Sequence, residues 1–294
     1  MNWINLSGNT IFEKGELRYR PTPAANLEMG APSHAFTKSD IYFENGEIEF
    51  DVTLEAASSH CQLVFNYGLE AQVHVGLNYN GAPYGIGIFR NNQFQNLSVA
   101  GLGTQLSAHK TYSIKVTVKG SKINLFVDNV SVCATNAIVE KSQLTFYFGG
   151  NSPLTVSEIK ISKDIPKAFV VMQFTEEFDE LYNEVINPVC KEFGFDAIRA
   201  DDIFTQNPII QDIVNSIQES AIVIADITPD NPNVYYEVGY SHGINKPTIL
   251  LCDDNRERLP FDLSGIRTIF YKNKIAGKSK IEDSLKKHLT SIGF

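Results

Sequence analysis

The chain is short of cysteine, of positive charge and of long apolar runs, and each shortage removes a class of protein. Its four cysteines, Cys61, Cys133, Cys190 and Cys252, stand far apart with no C-x-x-C spacing. Each lies in or beside an apolar segment, which suits small buried hydrophobes better than zinc ligands or disulfides, so no metal site and no cofactor are expected. Lys and Arg number 25 against 34 Asp and Glu, a formal charge of −9 with a pI near 5.2. Direct nucleic-acid binding, which draws on clustered basic side chains, is therefore not expected, and a small or neutral ligand fits better. No run approaches the ~18 apolar residues that span a bilayer. The start, MNWINLSGNT, has neither the basic residues nor the apolar stretch of a signal peptide. A cytoplasmic protein with no membrane partner is the expectation.

What is present is an ordinary globular composition, 43% hydrophobic and 20% charged, with 294 residues, enough for two domains. The two halves differ in period. From Gly46 to Glu55 the sequence alternates, with Ile48, Phe50, Val52 and Leu54 on one side and acidic residues or Thr53 on the other, the signature of a half-buried strand. The pattern recurs in Cys61–Tyr67, Val73–Leu77, Tyr84–Phe89, Tyr112–Val118, Ile123–Val127 and Leu144–Phe148, broken by Gly, Asn and Pro clusters. Asp128-Asn129, between INLFV and VSVCA, predicts a tight hairpin because both residue types tolerate positive φ. Many short strands and no helical stretch predict an antiparallel sandwich over residues 1–162.

The strings GEIEFDVTLE, GIGIFRNN, YSIKVTVKGSKINLFVDN and QLTFYFGGNSPLTVSEIKI resemble a lectin-like jelly roll of the concanavalin or laminin-G kind. The resemblance lies in pattern, not in a binding motif, and implies a glycan or protein ligand, or a sensing or assembly role. Tyr67, Tyr79 and Tyr84 are candidates for stacking on a ligand, although an aromatic in a strand more often packs in the sheet.

The period changes after Ile159, and the polar stretch with one proline that follows is read as a short linker with a boundary near residue 165. AFVVMQF at 168–174 is a continuous apolar run, as found where helices cover both faces of a strand. Next come a helix over Glu177–Phe193 bent at Pro188, a strand over Asp196–Ala200, a helix over Ile209–Glu219 and a strand over Ala221–Ile227. A helix over Val234–Ile244, strands at 247–252 and 268–272, and a last helix with Ile281, Leu285, Leu289 and Ile292 on one face complete the pattern. Five parallel strands with crossovers predict a flavodoxin-like α/β domain over 166–294, whose ligand would bind beyond the carboxyl ends of the strands.

Chemistry concentrates between Asp226 and His242. The strand AIVIADI ends in Asp226, the loop TPDNPN follows, and the helix VYYEVGYSHG carries Glu237 in its second turn. Asn231 or Asn233 can cap that helix and Pro232 suits its first position. The helix dipole would favour a charged Glu237 by ~0.3 to 1 kcal/mol, which predicts an ionised carboxylate. Tyr236 and Tyr240 form an aromatic row beside it. Gly239 and Gly243 are costly inside a helix, which predicts a close approach of ligand or chain. The same spacing also fits a solvated Glu237 on a helix whose glycines merely let it pack on the sheet.

FVVMQF, then RAD at 199–201, then DI-x4-I at 212–218, then IVIADITPDNPNVYYEVGYSHGINKPTILL resemble the nucleoside 2-deoxyribosyltransferase-like branch of the superfamily that includes Toll/interleukin-1 receptor domains. The resemblance covers about the last 130 residues. It implies cleavage of an N-glycosidic bond, with Glu237 aligned on the carboxylate that attacks the anomeric carbon or stabilises an oxocarbenium-like state. Candidates for a second acid are Asp212, which matches the transferase pattern best, Asp226, which could instead hold the TPDNPN loop, and Asp201. Gln173 and Phe174 would floor the pocket, with Asp201, Asn231, Asn233 and Tyr236 as further substrate-binding candidates. The substrate would be a nucleoside or nucleotide, NAD included, in a homo-oligomer. The tail Ser291-Ile-Gly-Phe294 departs from the family, whose short transferases end in a residue completing a neighbouring subunit's site, and this favours hydrolysis over base exchange. The combination resembles bacterial defence or signalling effectors. Two rival classes remain, a non-catalytic nucleotide-sensing or scaffold protein and a glycan-binding protein working through the sandwich.

Overall fold

Alternating apolar and polar residues become paired strands throughout the first half of the computed structural model, which describes residues 1–23, 33–202, 206–256, 258–272 and 274–292. Gly293 and Phe294, which end the atypical tail, lie outside the described residues. Two units meet in sequence at Asp164 and Ile165.

The first unit holds β1 (Trp3–Ser7), β2 (Thr10–Glu13), β3 (Glu16–Tyr19), β4 (His34–Phe43), β5 (Gly46–Leu54), β6 (His60–Phe65) and β7 (Gln72–Tyr79). It continues with β8 (Ala82–Arg90), β9 (Gln93–Ala100), β10 (Lys110–Lys119), β11 (Lys122–Val127), β12 (Val130–Asn136), β13 (Ser142–Gly149) and β14 (Leu154–Lys163). These strands make two antiparallel sheets, ordered β1-β4-β13-β6-β7-β8-β9 and β12-β11-β10-β5-β14-β3-β2, a jelly-roll-like sandwich. β5 lies inside the second sheet between β10 and β14 and turns Ile48, Phe50, Val52 and Leu54 into the shared core, all at most 2% exposed. Burying one such side chain contributes roughly 1.5 to 3 kcal/mol, which fixes the register because a one-residue slip would expose all four. Asp128 and Asn129 join β11 to β12 with φ of 50° and 65°, the conformation expected of them.

Strands β1 to β4 and β9 are not marked by the alternation. β9 has little buried surface, with residues 93–96 exposed, so its pairing with β8 rather than a sided pattern defines it. Tyr79 is fully buried rather than offered to a ligand. Its ring lies across β8, where a Cβ on Gly85 would come within 2.6 Å of the Tyr79 Cβ; glycine is there to admit the ring. Tyr67 and Tyr84 are half-buried.

The second unit contains β15 (Lys167–Val171), α1 (Glu176–Leu181), a π-helical turn over Tyr182–Ile186, α2 (Asn187–Glu192), β16 (Asp196–Arg199) and α3 (Ile209–Glu219). β17 (Ile222–Asp226), α4 (Pro232–Gly243), β18 (Thr248–Asp253), β19 (Thr268–Tyr271) and α5 (Ile275–Ser291) follow. The five strands are parallel in the order β16-β15-β17-β18-β19. The continuous apolar run of β15 is explained by two cores, one on each face of the sheet. Ala168 and Val170 pack with Ile222, Ile224 and the Leu285–Leu289 face of α5; Phe169 and Val171 pack with Val223, Ala225, Ile217 and Val238. Ile292, expected on that face of α5, instead follows the helix and is 42% exposed. Pro188 does not bend a regular helix: the π turn immediately before it absorbs the backbone bond that proline cannot donate. Among the described residues no helix is long and apolar enough to cross a membrane.

Candidate active site

In this order of strands the chain leaves β15 toward β16 on one side and toward β17 on the other, and the reversal opens a crevice above the carboxyl ends of the strands. A cavity of about 920 Å³ lies there, within the range of sites for small molecules. Met172, Gln173 and Phe174 enter it from the end of β15, Ala200 and Asp201 from the end of β16, Ile209, Ile210, Asp212 and Ile213 from α3, and Asn231, Asn233, Val234, Tyr236 and Glu237 from α4.

Local sequence explains each placement. Asn231 is the N-cap of α4: its side chain accepts a hydrogen bond from the Asn233 N–H at 3.0 Å, and Pro232 occupies the first turn. This cap fixes where α4 begins, so Tyr236 opens toward the cavity at 51% exposure while Glu237 turns inward at 9%. Glu237 is not the freely ionised carboxylate expected from the helix dipole. Burial pushes its pKa up to about 7, because desolvation outweighs a dipole worth ~0.3 to 1 kcal/mol.

Asp212, in the first turn of α3, accepts a hydrogen bond from the Asn207 side-chain amide at 3.0 Å. Asp201 is held by Arg199, whose Nε and Nη2 donate to its two oxygens at 3.0 and 2.5 Å, while Nη1 donates to Asp179 at 2.6 Å. The Arg199 guanidinium also lies 5.4 Å from the Phe174 ring and 4.6 Å from the Tyr182 ring. One buried cation thereby fixes both an acidic wall of the cavity and an aromatic of its floor.

Of the residues singled out in the sequence, Glu237, Asp212, Asp201, Gln173, Phe174, Asn231, Asn233 and Tyr236 line one cavity, whereas Asp226 does not. Asp226 is wholly buried at the end of β17, accepting from the Thr228 N–H at 2.9 Å and from the Tyr271 hydroxyl at 2.8 Å. Burial pushes its pKa up to about 6. It shapes the turn that carries the chain toward α4, the other role its position allowed. Tyr240 turns away from the cavity onto the core beside α4, where its hydroxyl accepts from Gln218 at 2.6 Å. Arg256 points inward: Nη1 donates to the carbonyls of Ile227, Thr228 and Pro229, and Nη2 to the Tyr235 hydroxyl at 2.7 Å and Asp230 at 3.3 Å. It clamps the loop ahead of α4. A Cβ on Gly239 or Gly243 would meet nothing within 4 Å, so no neighbouring group explains these helix glycines.

The sequence reading assigned no role to Arg199 or to the Ile209-Ile210 pair. Arg199 had a signal, a lone cation ending an apolar strand. The isoleucines, 78% and 49% exposed in the first turn of α3, present apolar surface to the cavity rather than to the core around Ile217.

No family model and no curated protein matches the chain. Among solved structures it is similar to the carbohydrate binding module CBM66 from Bacillus subtilis, at 11% identity and a TM-score of 0.45, covering 55% of this chain and 95% of that one. A protein of unknown function with a galectin-like fold, also from Bacillus subtilis, is 10% identical with a TM-score of 0.43, covering 55% and 89%. A prokaryotic beta-1,3-1,4-glucanase (lichenase) derived from a mouse hindgut metagenome is 10% identical with a TM-score of 0.37, covering 52% and 88%.

Proposed function

We propose that the α/β half cleaves an N-glycosidic bond of a nucleoside-type substrate, with Glu237 as the carboxylate that meets the anomeric carbon. The observation that carries this reading is the inward turn of Glu237, buried yet part of the lining of a cavity that also holds a second carboxylate, Asp212, and two exposed aromatics, Phe174 and Tyr236. A flat base between aromatic faces and a sugar over a carboxylate is what such a lining suits. Asp212 attends the departing base, Gln173 offers an amide to it, and Arg199 and Arg256 act as positioning residues through Asp201, Phe174 and the loop before α4. Water resolves the glycosyl group, giving hydrolysis. The test is base release from a nucleoside panel and NAD, followed by chromatography. Glu237→Gln is expected to lower the rate by at least ~100-fold with the fold intact by circular dichroism, and a variant as active as wild type refutes the assignment.

A second reading concerns the sandwich, as a glycan-docking or regulatory module for the α/β half. It is favoured by a strip of rings on β4, β13 and the loop after β6: Phe36 lies 5.1 Å from both Tyr67 and Tyr147, and His34 stacks on Tyr147 at 6.4 Å. All three of Phe36, Tyr67 and Tyr147 are half-exposed, and rings so presented suit the apolar faces of sugars. A glycan array probed with the whole protein is expected to lose its signal in Phe36→Ala; an array with no signal for wild type rejects the docking role.

A further inference from the structure

The charge of the cavity narrows what can enter it. Its lining contains three carboxylates, Asp201, Asp212 and Glu237, and among the described residues no Lys or Arg. The neighbouring cations are spent elsewhere: Arg199 on Asp179 and Asp201, Arg256 on backbone carbonyls and Asp230. At the start of α4, Pro232 has no N–H to offer an anion and the Asn233 N–H is taken by the Asn231 side chain. The rest of the lining sets the neutral amides of Gln173, Asn231 and Asn233 among apolar and aromatic side chains, with Phe174 and Tyr236 half-exposed. Carboxylates and π faces together attract a flat cation and repel a phosphate.

We infer, resting on the N-glycosidic reading above, that the cavity takes an unphosphorylated nucleoside whose base carries a fixed positive charge, an N-alkylated purine or a pyridinium. The chemistry balances without an acid. The C1′–N bond breaks with its electron pair passing to the ring nitrogen, which becomes neutral, while a Glu237 oxygen bonds to C1′. Water then replaces that oxygen, restoring the carboxylate and releasing one proton to solvent; the products are the free sugar, the neutral base and H⁺. Asp212 serves as the counter-charge to the base rather than as a proton donor, while Asp201 is already paired with Arg199. Glu237, whose proton affinity is raised by burial, becomes a better anion once the cationic ligand is beside it.

Two measurements on the full chain test this. The first follows base release by wild type and Glu237→Gln from guanosine, 7-methylguanosine, nicotinamide riboside and nicotinamide mononucleotide. 7-Methylguanosine and nicotinamide riboside are expected to exceed guanosine by roughly 100-fold or more in kcat/KM, the factor a missing general acid would otherwise supply. The 5′-phosphate of the mononucleotide is expected to cost roughly tenfold or more relative to the riboside. The second measures binding of N-methylnicotinamide cation against neutral nicotinamide by calorimetry, expected to favour the cation roughly tenfold and to lose that preference in Asp212→Asn. Glu237-dependent release from guanosine or the mononucleotide at the rate of the cationic nucleosides overturns the inference and leaves the N-glycosidic reading standing. Equal binding of cation and neutral ring also overturns it. Preferential cation binding with no base release from any substrate upholds the charge preference and overturns the N-glycosidic chemistry beneath it.

Discussion

The sandwich and the α/β half bury different kinds of polar group: among the described residues the sandwich buries neutral ones, the α/β half charged ones too. In the sandwich, Gln62 and His74 sit at 3% and 2% exposure in mid-strand, where the His74 Nδ1 is paired with the Gln62 Oε1 at 3.0 Å and the rings of Phe94, Tyr147, Phe89 and Tyr79 surround the imidazole. Burial drives the His74 pKa down to about 4, so it stays neutral and structural. In the α/β half charged side chains are buried as well, and four of them, Arg199, Asp226, Glu237 and Asp253, stand at strand ends or near the start of α4, all at most 9% exposed. A strand inside an antiparallel sandwich satisfies its neighbours laterally. A parallel sheet must send every chain back through a helix, and the crevice where the returns diverge is where buried charge can face a ligand.

Core truncation should produce the largest effect and should break the sandwich side of this comparison. Phe146 is fully buried and packs against Trp3, Phe50 and Phe148 at centroid distances of 5.0 to 5.6 Å. Phe146→Ala is expected to cost ~3 to 5 kcal/mol in chemical denaturation, with Glu237-dependent activity the readout for the other half. Next in size is the cost of holding Glu237 in its cavity. An unfolded Glu titrates near 4.5 and the folded one at about 7, so between these values the folded chain keeps a proton that the unfolded chain has lost. Stability is full below the lower value, falls as pH rises through the window, and has lost up to about 3 kcal/mol above it. Glu237→Gln removes that loss. The variant should therefore gain on wild type from pH 5 to 8, measured by urea midpoints at each pH, and parallel curves would show that the carboxyl is not desolvated. Asp226 adds a similar slope ending near 6, but it is common to both proteins and cancels in the difference.

Much of this division was legible in the sequence because burial imposes a period. β5, β10 and β11 announce themselves by alternation, β15 and β17 by unbroken apolar runs, and α3 spans the residues its pattern predicts, Ile209–Glu219. Edge strands such as β9 bury too little to impose any pattern. The lining of the cavity was legible in its residues, Asp226 excepted, but not in its electrostatics. The cap at Asn231 and the phase of α4 follow from local rules, whereas the protonation of Glu237 depends on what covers it, and the inward use of Arg256 depends on carbonyls 27 to 29 residues away. Asp226 illustrates the same limit: a carboxylate at a strand end reads identically whether it faces a cavity or Tyr271, 45 residues on.

The smallest predicted effect concerns the helix that joins the two ideas, the stable scaffold and the exposed site. Gly239 lies inside α4 with helical neighbours on both sides, is absent from the backbone positions of positive φ, and would place a Cβ in open space. Glycine there holds more freedom in the unfolded chain than alanine and gains nothing in packing, so Gly239→Ala should stabilise the α/β half by ~0.5 to 1 kcal/mol. Gly239 is also two residues beyond Glu237 and does not line the cavity. If α4 is only a scaffold for Glu237, the variant should melt higher at unchanged kcat/KM. If the helix must flex for the sugar to reach the carboxylate, the variant gains the same stability and loses turnover, and the glycine that packs against nothing then has its explanation in motion rather than in contact.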